Sequence, residues 1–86
     1  MKFYVYMLLS QKKNAYFTYV GYTKDLKKRL YLHNKSKGAK YTKGKNWTLI
    51  YKKAYLTQSL ALKEEYKLKK NYTLRKKIKN KFLTNA

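Results

Sequence analysis

The side chains of this sequence that could carry chemistry are one imidazole, three carboxylates, two guanidiniums and many phenols. The acids are Asp25, Glu64 and Glu65, the only histidine is His33, and the 86 residues contain no cysteine. This inventory excludes disulfides, thiolate zinc sites, cysteine nucleophiles and sites that need two imidazoles, and it argues against a two-metal carboxylate cage. Hydrolysis of a phosphodiester, for example, requires a neutralised phosphate, an activated water and a stabilised leaving oxygen, and the inventory restricts how this chain could supply them.

Glu65 is the most informative of the three acids. It shares a predicted helix face with Ala61, Leu62 and Leu68, where a carboxylate must be paired, hydrated or bound to a metal. An ion pair with a neighbouring lysine is the plainer interpretation. The alternative is Mg²⁺, which can keep most of its waters and accept one carboxylate plus a substrate phosphate. Glu64 lies nearer the lysine-bearing side of the same helix.

Arg29 and His33 are four residues apart, so they lie together on one helix face beside the stripe of Leu26 and Leu30. The chain uses arginine only twice, and a planar bidentate donor suits a phosphate, although a surface role is open for both Arg29 and Arg75. A histidine alone is usually a residue of a helix end or core edge. The pairing with Arg29 favours a functional role for His33.

Tyr6 and Tyr19 are two of eleven tyrosines, so neither stands out alone. A phenol acts as a base only if nearby cations lower its pKa. The two rings come close together if the register of the strands that carry them places both on one side of a sheet.

A hairpin is predicted to hold these tyrosines. Residues 3–10 are apolar or aromatic on both alternating faces, which favours a central strand, and residues 16–22 are β-prone after a polar turn. The pattern places Tyr6 with Tyr4 and Leu8 on one face of the first strand. Phe17, Tyr19 and Gly21 share a face of the second.

The rest of the chain predicts a helix over residues 24–33 with Thr23 as N-cap, a basic loop over 34–46 and a strand over 47–56. Ser59 is predicted to cap the next helix, whose inward positions include Leu62 and Tyr72. A basic helix over about 73–83 follows, with Leu74, Ile78 and Phe82 at four-residue spacing. These elements predict one α+β domain, residues 1–86, with a small three-stranded antiparallel or mixed sheet flanked by helices in the order ββαβαα.

The formal net charge is +20, from 23 Lys and Arg against three acids. Such charge attracts a polyanion, either nucleic acid or an anionic membrane face, although a compositional bias towards Lys, Asn and Tyr also explains part of it. The apolar run near the start is far shorter than the roughly 20 residues of a membrane span, and no cleavage site follows it. We therefore expect no membrane anchor and a cytoplasmic protein.

Five separated features resemble the motifs of the GIY-YIG nuclease superfamily. They are Tyr4-Val5-Tyr6, Tyr19-Val20-Gly21, Arg29, His33 and a helix-borne Glu65. The resemblance is to the small stand-alone members that are similar to the excinuclease nuclease module, through the stretches VGYTKDLKKRL, HN, GAKYTKG and SLALKEEYKLKK. It covers about residues 3–70, and the spaced series is far more specific than any one tripeptide.

The resemblance implies a role for each matching residue. Tyr6 and Tyr19 would position or deprotonate the attacking water, and proposed mechanisms differ on which of them is the base. Arg29 would hold the scissile phosphate, and His33 would assist proton transfer or phosphate binding. Glu65 would carry a single Mg²⁺ or Mn²⁺ that stabilises the leaving 3′ oxygen.

The match also has departures. Gly21 is in place and would let backbone and substrate approach closely. Tyr4 stands where the name-giving glycine would be, which a strand tolerates. Tyr22 stands where many family nucleases place a lysine that lowers a tyrosine pKa, and Lys24 or Lys40 is a candidate replacement.

The resemblance therefore implies an Mg²⁺-dependent endonuclease acting on DNA, structure-selective, linked to repair or recombination, and either a monomer or a weak dimer with a repair-protein partner. The expected nucleic-acid contacts are Lys24, Lys40, Lys43 and Lys45. The alternative is a catalytically weak nucleic-acid-binding module that acts with a repair or RNA-processing partner. Association with RNA or ribosomes through bulk charge is a third hypothesis, which leaves the five motifs unexplained.

Overall fold

The chain folds in the predicted order ββαβαα, and the α+β class is confirmed. The computed structural model describes residues 2–85. Its elements are β1 (Phe3–Lys12), β2 (Ala15–Thr23), α1 (Leu26–Asn34), a short 3-10 turn (Lys40–Thr42), β3 (Thr48–Tyr55), α2 (Gln58–Lys70) and α3 (Tyr72–Thr84).

The three strands form one antiparallel sheet in the order β2-β1-β3. β1 is therefore the central strand, as its apolar character on both faces predicts. In the β1–β2 hairpin, Tyr6 pairs with Gly21 and Leu8 pairs with Tyr19. This register places Tyr6 and Tyr19 on the same face, so the condition under which their rings lie close together is met.

Helices cover both faces of the sheet. On one face Val5 and Met7 pack with Ala61 and Leu68 of α2, and Ile78 of α3 packs against this cluster. On the other face the buried residues are Tyr6, Leu8 and Trp47, and side chains of α1 and β2 pack against them. The site residues of β1 and β2 therefore face α1.

Two of the predicted helix caps are wrong by two residues. Asp25 caps α1, because its Oδ1 accepts from the Lys28 amide at 3.1 Å, while Thr23 Oγ1 accepts from the Asp25 amide. Thr57 caps α2 through the Leu60 amide at 3.1 Å, so Ser59 already lies inside that helix. Asp25 and Thr57 both have the extended backbone that an N-cap requires.

The prediction that Leu62 and Tyr72 point inward is wrong, since they are 42% and 66% exposed. The buried residues of α2 are Ala61 and Leu68, seven residues apart, and Leu62 lies about 100° further round the helix. Tyr72 belongs to α3, which is capped by Asn71, so the stripe of α2 does not continue through it.

None of the helices in the described part of the chain is both long and apolar enough to cross a bilayer.

Candidate active site

The phenol of Tyr6 forms the centre of the site. Tyr6 lies in the middle of β1 and is only 2% exposed. Its ring packs over Gly21 of the neighbouring strand, where an added Cβ would collide with the Tyr6 hydroxyl oxygen and lie 2.5 Å from Cζ. The glycine therefore makes room for this phenol, and the close approach of a substrate to Gly21 stays a prediction.

The Tyr6 hydroxyl is held by two residues of α1. His33 Nε2 lies 2.8 Å from Tyr6 Oη, and Arg29 Nε donates to the same oxygen at 3.4 Å. Because Arg29 and His33 are one turn apart, a single helix presents both groups to one atom. The structure thus brings together three of the predicted site residues.

Tyr19 lies beside this group. Its ring centroid is 6.4 Å from that of Tyr6 and 5.0 Å from that of His33. It also stacks with Tyr41 of the 3-10 turn, with ring centroids 6.2 Å apart. Tyr19 also helps to raise the pKa of Arg29, for which the hydrogen bond to Tyr6 is the largest cause.

Burial and charge set the protonation of the site. Burial raises the pKa of Tyr6 to about 12, although the Arg29 guanidinium opposes this shift. Burial, with the positive charge of Arg29, lowers the pKa of His33 to about 4. At neutral pH the site therefore holds a neutral phenol and a neutral imidazole beside a cationic guanidinium.

Glu65 and Glu64 differ in what their charges act upon. The Glu65 carboxylate is one of the charges that add to the raised pKa of Tyr6. The pKa of Tyr55 is raised mainly by burial, and Glu64 adds to that shift. The Glu65 side chain is 18% exposed and pairs with Lys69 at 3.7 Å, so the predicted ion pair exists. Of the two acids, Glu65 is the one electrostatically coupled to the site.

This donor set fits one hard cation. Within residues 2–85 there is no group of three or more His, Asp or Glu side chains that could hold a metal ion. Glu65 would therefore supply a single carboxylate, with water and substrate oxygens completing the shell. Mg²⁺ is commonly bound in this way.

The predicted nucleic-acid lysines lie in different places. Lys45 Nζ lies over the rings of Phe17 and Tyr41, 5.0 and 5.1 Å from their centroids, on the face of Tyr19. Lys24 Nζ lies 5.7 Å over the ring of Phe3, which packs against the cluster on the opposite face.

Lys40 begins the 3-10 turn that carries Tyr41, and Lys43 follows it. Arg29 is the cation that opposes the rise in the pKa of Tyr6. The expectation that Lys24 or Lys40 replaces the family lysine stays a prediction.

Sequence reasoning missed two residues that enclose His33. Thr42 is fully buried, and its Oγ1 lies 2.9 Å from His33 Nδ1. The backbone of Gly38 lies against the imidazole, since an added Cβ would be 2.8 Å from Cγ and Cε1. Both belong to the stretch GAKYTKG, whose similarity to the family was the available signal.

Comparison with known proteins agrees with this geometry. The family model of the GIY-YIG catalytic domain matches residues 2–79. A UPF0213 protein of Staphylococcus epidermidis is 44% identical over 79 residues, covering 91% of this chain and 92% of the relative. A UPF0213 protein of Oceanobacillus iheyensis is 40% identical over 67 residues, covering 77% of this chain and 74% of its own length.

A UPF0213 protein of Staphylococcus aureus is 47% identical over 62 residues, covering 71% of this chain and 74% of the relative. No solved structure matches this chain. The GIY-YIG catalytic domain is a nuclease fold, and its substrate is nucleic acid. The match covers most of the chain, including every element that contributes to the site, and this chain belongs to the GIY-YIG catalytic domain family.

Proposed function

We propose that this protein is an endonuclease that hydrolyses phosphodiester bonds of DNA with Mg²⁺ or Mn²⁺. The observation that carries the proposal is the convergence of Arg29 and His33 on the hydroxyl of Tyr6. One group is a permanent cation, one is a neutral base, and the phenol between them can pass a proton. This set matches what attack of water on a phosphodiester requires.

Tyr6 takes the proton of the attacking water in this proposal. A phenol with a pKa of about 12 does not persist as phenolate at neutral pH, so its own proton must leave as the new one arrives. His33 Nε2, 2.8 Å away, provides the destination. Tyr19, at the side of both rings, orients the water.

Arg29 holds the scissile phosphate. Its Nε is occupied by Tyr6, which leaves the terminal nitrogens of the guanidinium to donate in a fork to two phosphate oxygens. The hydrogen bond to Tyr6 also fixes the plane of that fork. The phosphate and the attacking water are thus both positioned relative to the same phenol.

Glu65 would hold the metal ion. When bound, the ion supplies charge neutralisation at the leaving 3′ oxygen. The carboxylate is partly shielded and keeps Lys69 as a partner, so it stays paired when no ion is present.

The substrate is recognised through its backbone. The net charge of +20 favours a polyanion, and Lys40, Lys43 and Lys45 surround the 3-10 turn next to Tyr19. Contacts between lysines and backbone phosphates do not distinguish one base sequence from another. We therefore propose structure-selective cleavage of ends, flaps or branches, in repair or recombination, by a monomer or weak dimer that acts with a repair-protein partner.

The second candidate is a nucleic-acid-binding module without efficient cleavage. The raised pKa of Tyr6 favours it, since the phenol is a poor base if His33 does not accept the proton. Such a module would bind DNA with steep salt dependence and would be indifferent to loss of Glu65.

The deciding experiment is a cleavage panel of duplex, flap, branched and single-stranded DNA with Mg²⁺, Mn²⁺ or EDTA. Glu65→Gln removes the carboxylate charge at constant shape. Glu64→Gln makes the same change at the preceding residue and is the matched control. We expect cleavage that depends on metal, falls by about 100-fold or more in Glu65→Gln and survives in Glu64→Gln. Absence of cleavage on every substrate would contradict the proposal.

A further inference from the structure

The hydroxyl of Thr42 has only one proton, and the groups around its oxygen indicate where it goes. Thr42 Oγ1 lies 2.8 Å from the carbonyl oxygen of Ala39. A carbonyl can only accept, so the hydroxyl donates its proton there. Every other hydrogen bond of this oxygen must then be one that it accepts.

Two donors fill the remaining capacity of Thr42 Oγ1. The Ala39 amide donates to it at 3.2 Å, and His33 Nδ1 is 2.9 Å away. Because Oγ1 has no second proton, the proton between it and the imidazole belongs to His33 Nδ1. A neutral imidazole carries one proton, so His33 Nε2 has none and faces the Tyr6 hydroxyl as an acceptor.

We propose that Thr42 is a positioning residue that fixes His33 in the Nδ1–H tautomer and so reserves Nε2 for the proton of Tyr6. The catalytic consequence rests on the proposed nuclease function, while the tautomer itself does not. The other tautomer would set the bare Nδ1 against an oxygen whose proton is already used. Two buried acceptors facing each other are unfavourable.

The loop is built to hold Thr42 in this place. Trp47 Nε1 donates to the Thr42 carbonyl oxygen at 3.0 Å. The Asn34 side chain closes on the Trp47 backbone, accepting from its amide at 2.6 Å and donating to its carbonyl at 3.2 Å. The end of α1, the 3-10 turn and the start of β3 are thus joined around the imidazole.

The proton transfer balances with this assignment. The attacking water gives one proton to Tyr6 Oη as Tyr6 gives its own proton to His33 Nε2. The resulting hydroxide forms its bond to phosphorus while the bond from phosphorus to the 3′ oxygen breaks, and the leaving 3′ oxygen takes a proton from water. The phenol stays neutral, and His33 becomes an imidazolium that donates from Nδ1 to Thr42 and from Nε2 to Tyr6. It later releases the extra proton to water.

Nitrogen NMR of the wild-type protein tests the tautomer directly. His33 is the only histidine, so a sample grown with ¹⁵N-histidine reports one imidazole. At neutral pH we expect a protonated Nδ1 and an unprotonated Nε2, identified by the different couplings of each nitrogen to the two ring carbon-bound protons. A protonated Nε2 in the wild-type protein would overturn the proposal whether or not the protein cleaves DNA.

Two substitutions test the role of the hydroxyl. Thr42→Ser keeps it, so the tautomer and the cleavage rate are expected to stay near wild type. Thr42→Val keeps the shape but removes the acceptor, so the imidazole proton is expected to move to Nε2 and cleavage to fall by about 100-fold, with DNA binding in EDTA unchanged.

A folded Thr42→Val protein with the wild-type tautomer or with full cleavage would refute the assignment. If Thr42→Val does not fold, the wild-type spectrum and Thr42→Ser still decide it. Loss of the Nδ1–H tautomer in Thr42→Ser would also count against the proposal, since the hydroxyl is retained. A wild-type protein that shows this tautomer but cleaves nothing would refute the nuclease proposal alone.

Discussion

Gly21 and Tyr6 are cross-strand partners, and the phenol of Tyr6 occupies the space that a side chain at position 21 would fill. The Tyr6 hydroxyl oxygen can therefore reach Arg29 and His33 because residue 21 has no side chain in its way. Any Cβ at this position must move the phenol or separate the strands.

Gly21→Ala is expected to destabilise the fold by about 1–3 kcal/mol through overpacking. It should also reduce cleavage by about 100-fold, because the Tyr6 hydroxyl moves away from its partners. Urea unfolding and cleavage rates measure the two effects. Gly44→Ala is the control: its φ of +75° makes alanine strained, but nothing lies within 4 Å of the new Cβ. Equal losses of cleavage in both variants would contradict this account.

Arg29→Lys keeps the charge but loses the planar guanidinium, which can hydrogen-bond to Tyr6 and to a phosphate at the same time. Cleavage is expected to fall by about 10- to 100-fold, while DNA affinity in EDTA changes little. Arg75→Lys is the matched control, because Arg75 Nε donates to the Leu68 carbonyl oxygen at 3.1 Å and does not contact Tyr6. Single-turnover rates on a substrate identified by the cleavage panel would check this. Unchanged rates in Arg29→Lys would remove Arg29 from the site.

The free energy of unfolding is expected to fall as the pH drops from neutral to about pH 5. The pKa of His33 is about 4 in the fold against 6.5 for the free side chain, so the unfolded chain binds the proton first. The stability contributed by the neutral imidazole is complete above pH 6.5 and is lost towards pH 4. By about pH 5 the loss is on the order of 2 kcal/mol.

Urea titrations at several pH values measure this slope, and His33→Gln, which cannot titrate there, is the control. Ordinary carboxyl groups protonate at lower pH, and the chain has only three acids. A slope of the same size in His33→Gln would show that other groups cause it.

Lys45→Gln is expected to weaken DNA binding and to lower the slope of log affinity against log salt by about one, as the loss of one phosphate contact does. Lys24→Gln has the same change in charge. Although Lys24 was among the expected nucleic-acid contacts, it lies over Phe3, which packs on the opposite face of the sheet from Tyr19, and its slope should stay near wild type. Fluorescence anisotropy in EDTA at several salt concentrations measures both. Equal slopes for the two variants would mean that bulk charge governs binding.

The sequence was sufficient for the central strand and for the faces on which its site residues lie. Hydrophobicity on both faces identified β1, and the four-residue spacing joined Arg29 to His33. The alternation assigned Tyr6 and Tyr19 each to a face of its own strand, and the register in the structure shows that these faces coincide. The assignments made from the sequence follow from local periods that burial enforces. The family resemblance, confirmed by the match over residues 2–79, added the choice of Glu65.

Features that depend on tertiary contacts could not be predicted from the sequence. Thr42 lies in a lysine-rich loop without periodicity, and its complete burial results from hydrogen bonds to Ala39, His33 and Trp47. Leu62 satisfies a helical pattern but faces solvent, since the surface of α2 that meets the sheet is narrow. The caps shifted because several polar residues compete for each helix start.

The helix that carries the carboxylate of the site packs on the opposite face of the sheet from the helix that carries its cation and its imidazole. Arg29 and His33 come from α1 on one face, whereas Glu65 comes from α2, which packs on the other. The geometry of the β1–β2 pair therefore affects the distance between the Glu65 carboxylate and these two groups. A bulge or a bound partner that changes the twist of this hairpin would alter that distance without changing the arrangement within α1 or within α2. Catalysis would then change although no reacting group had been replaced.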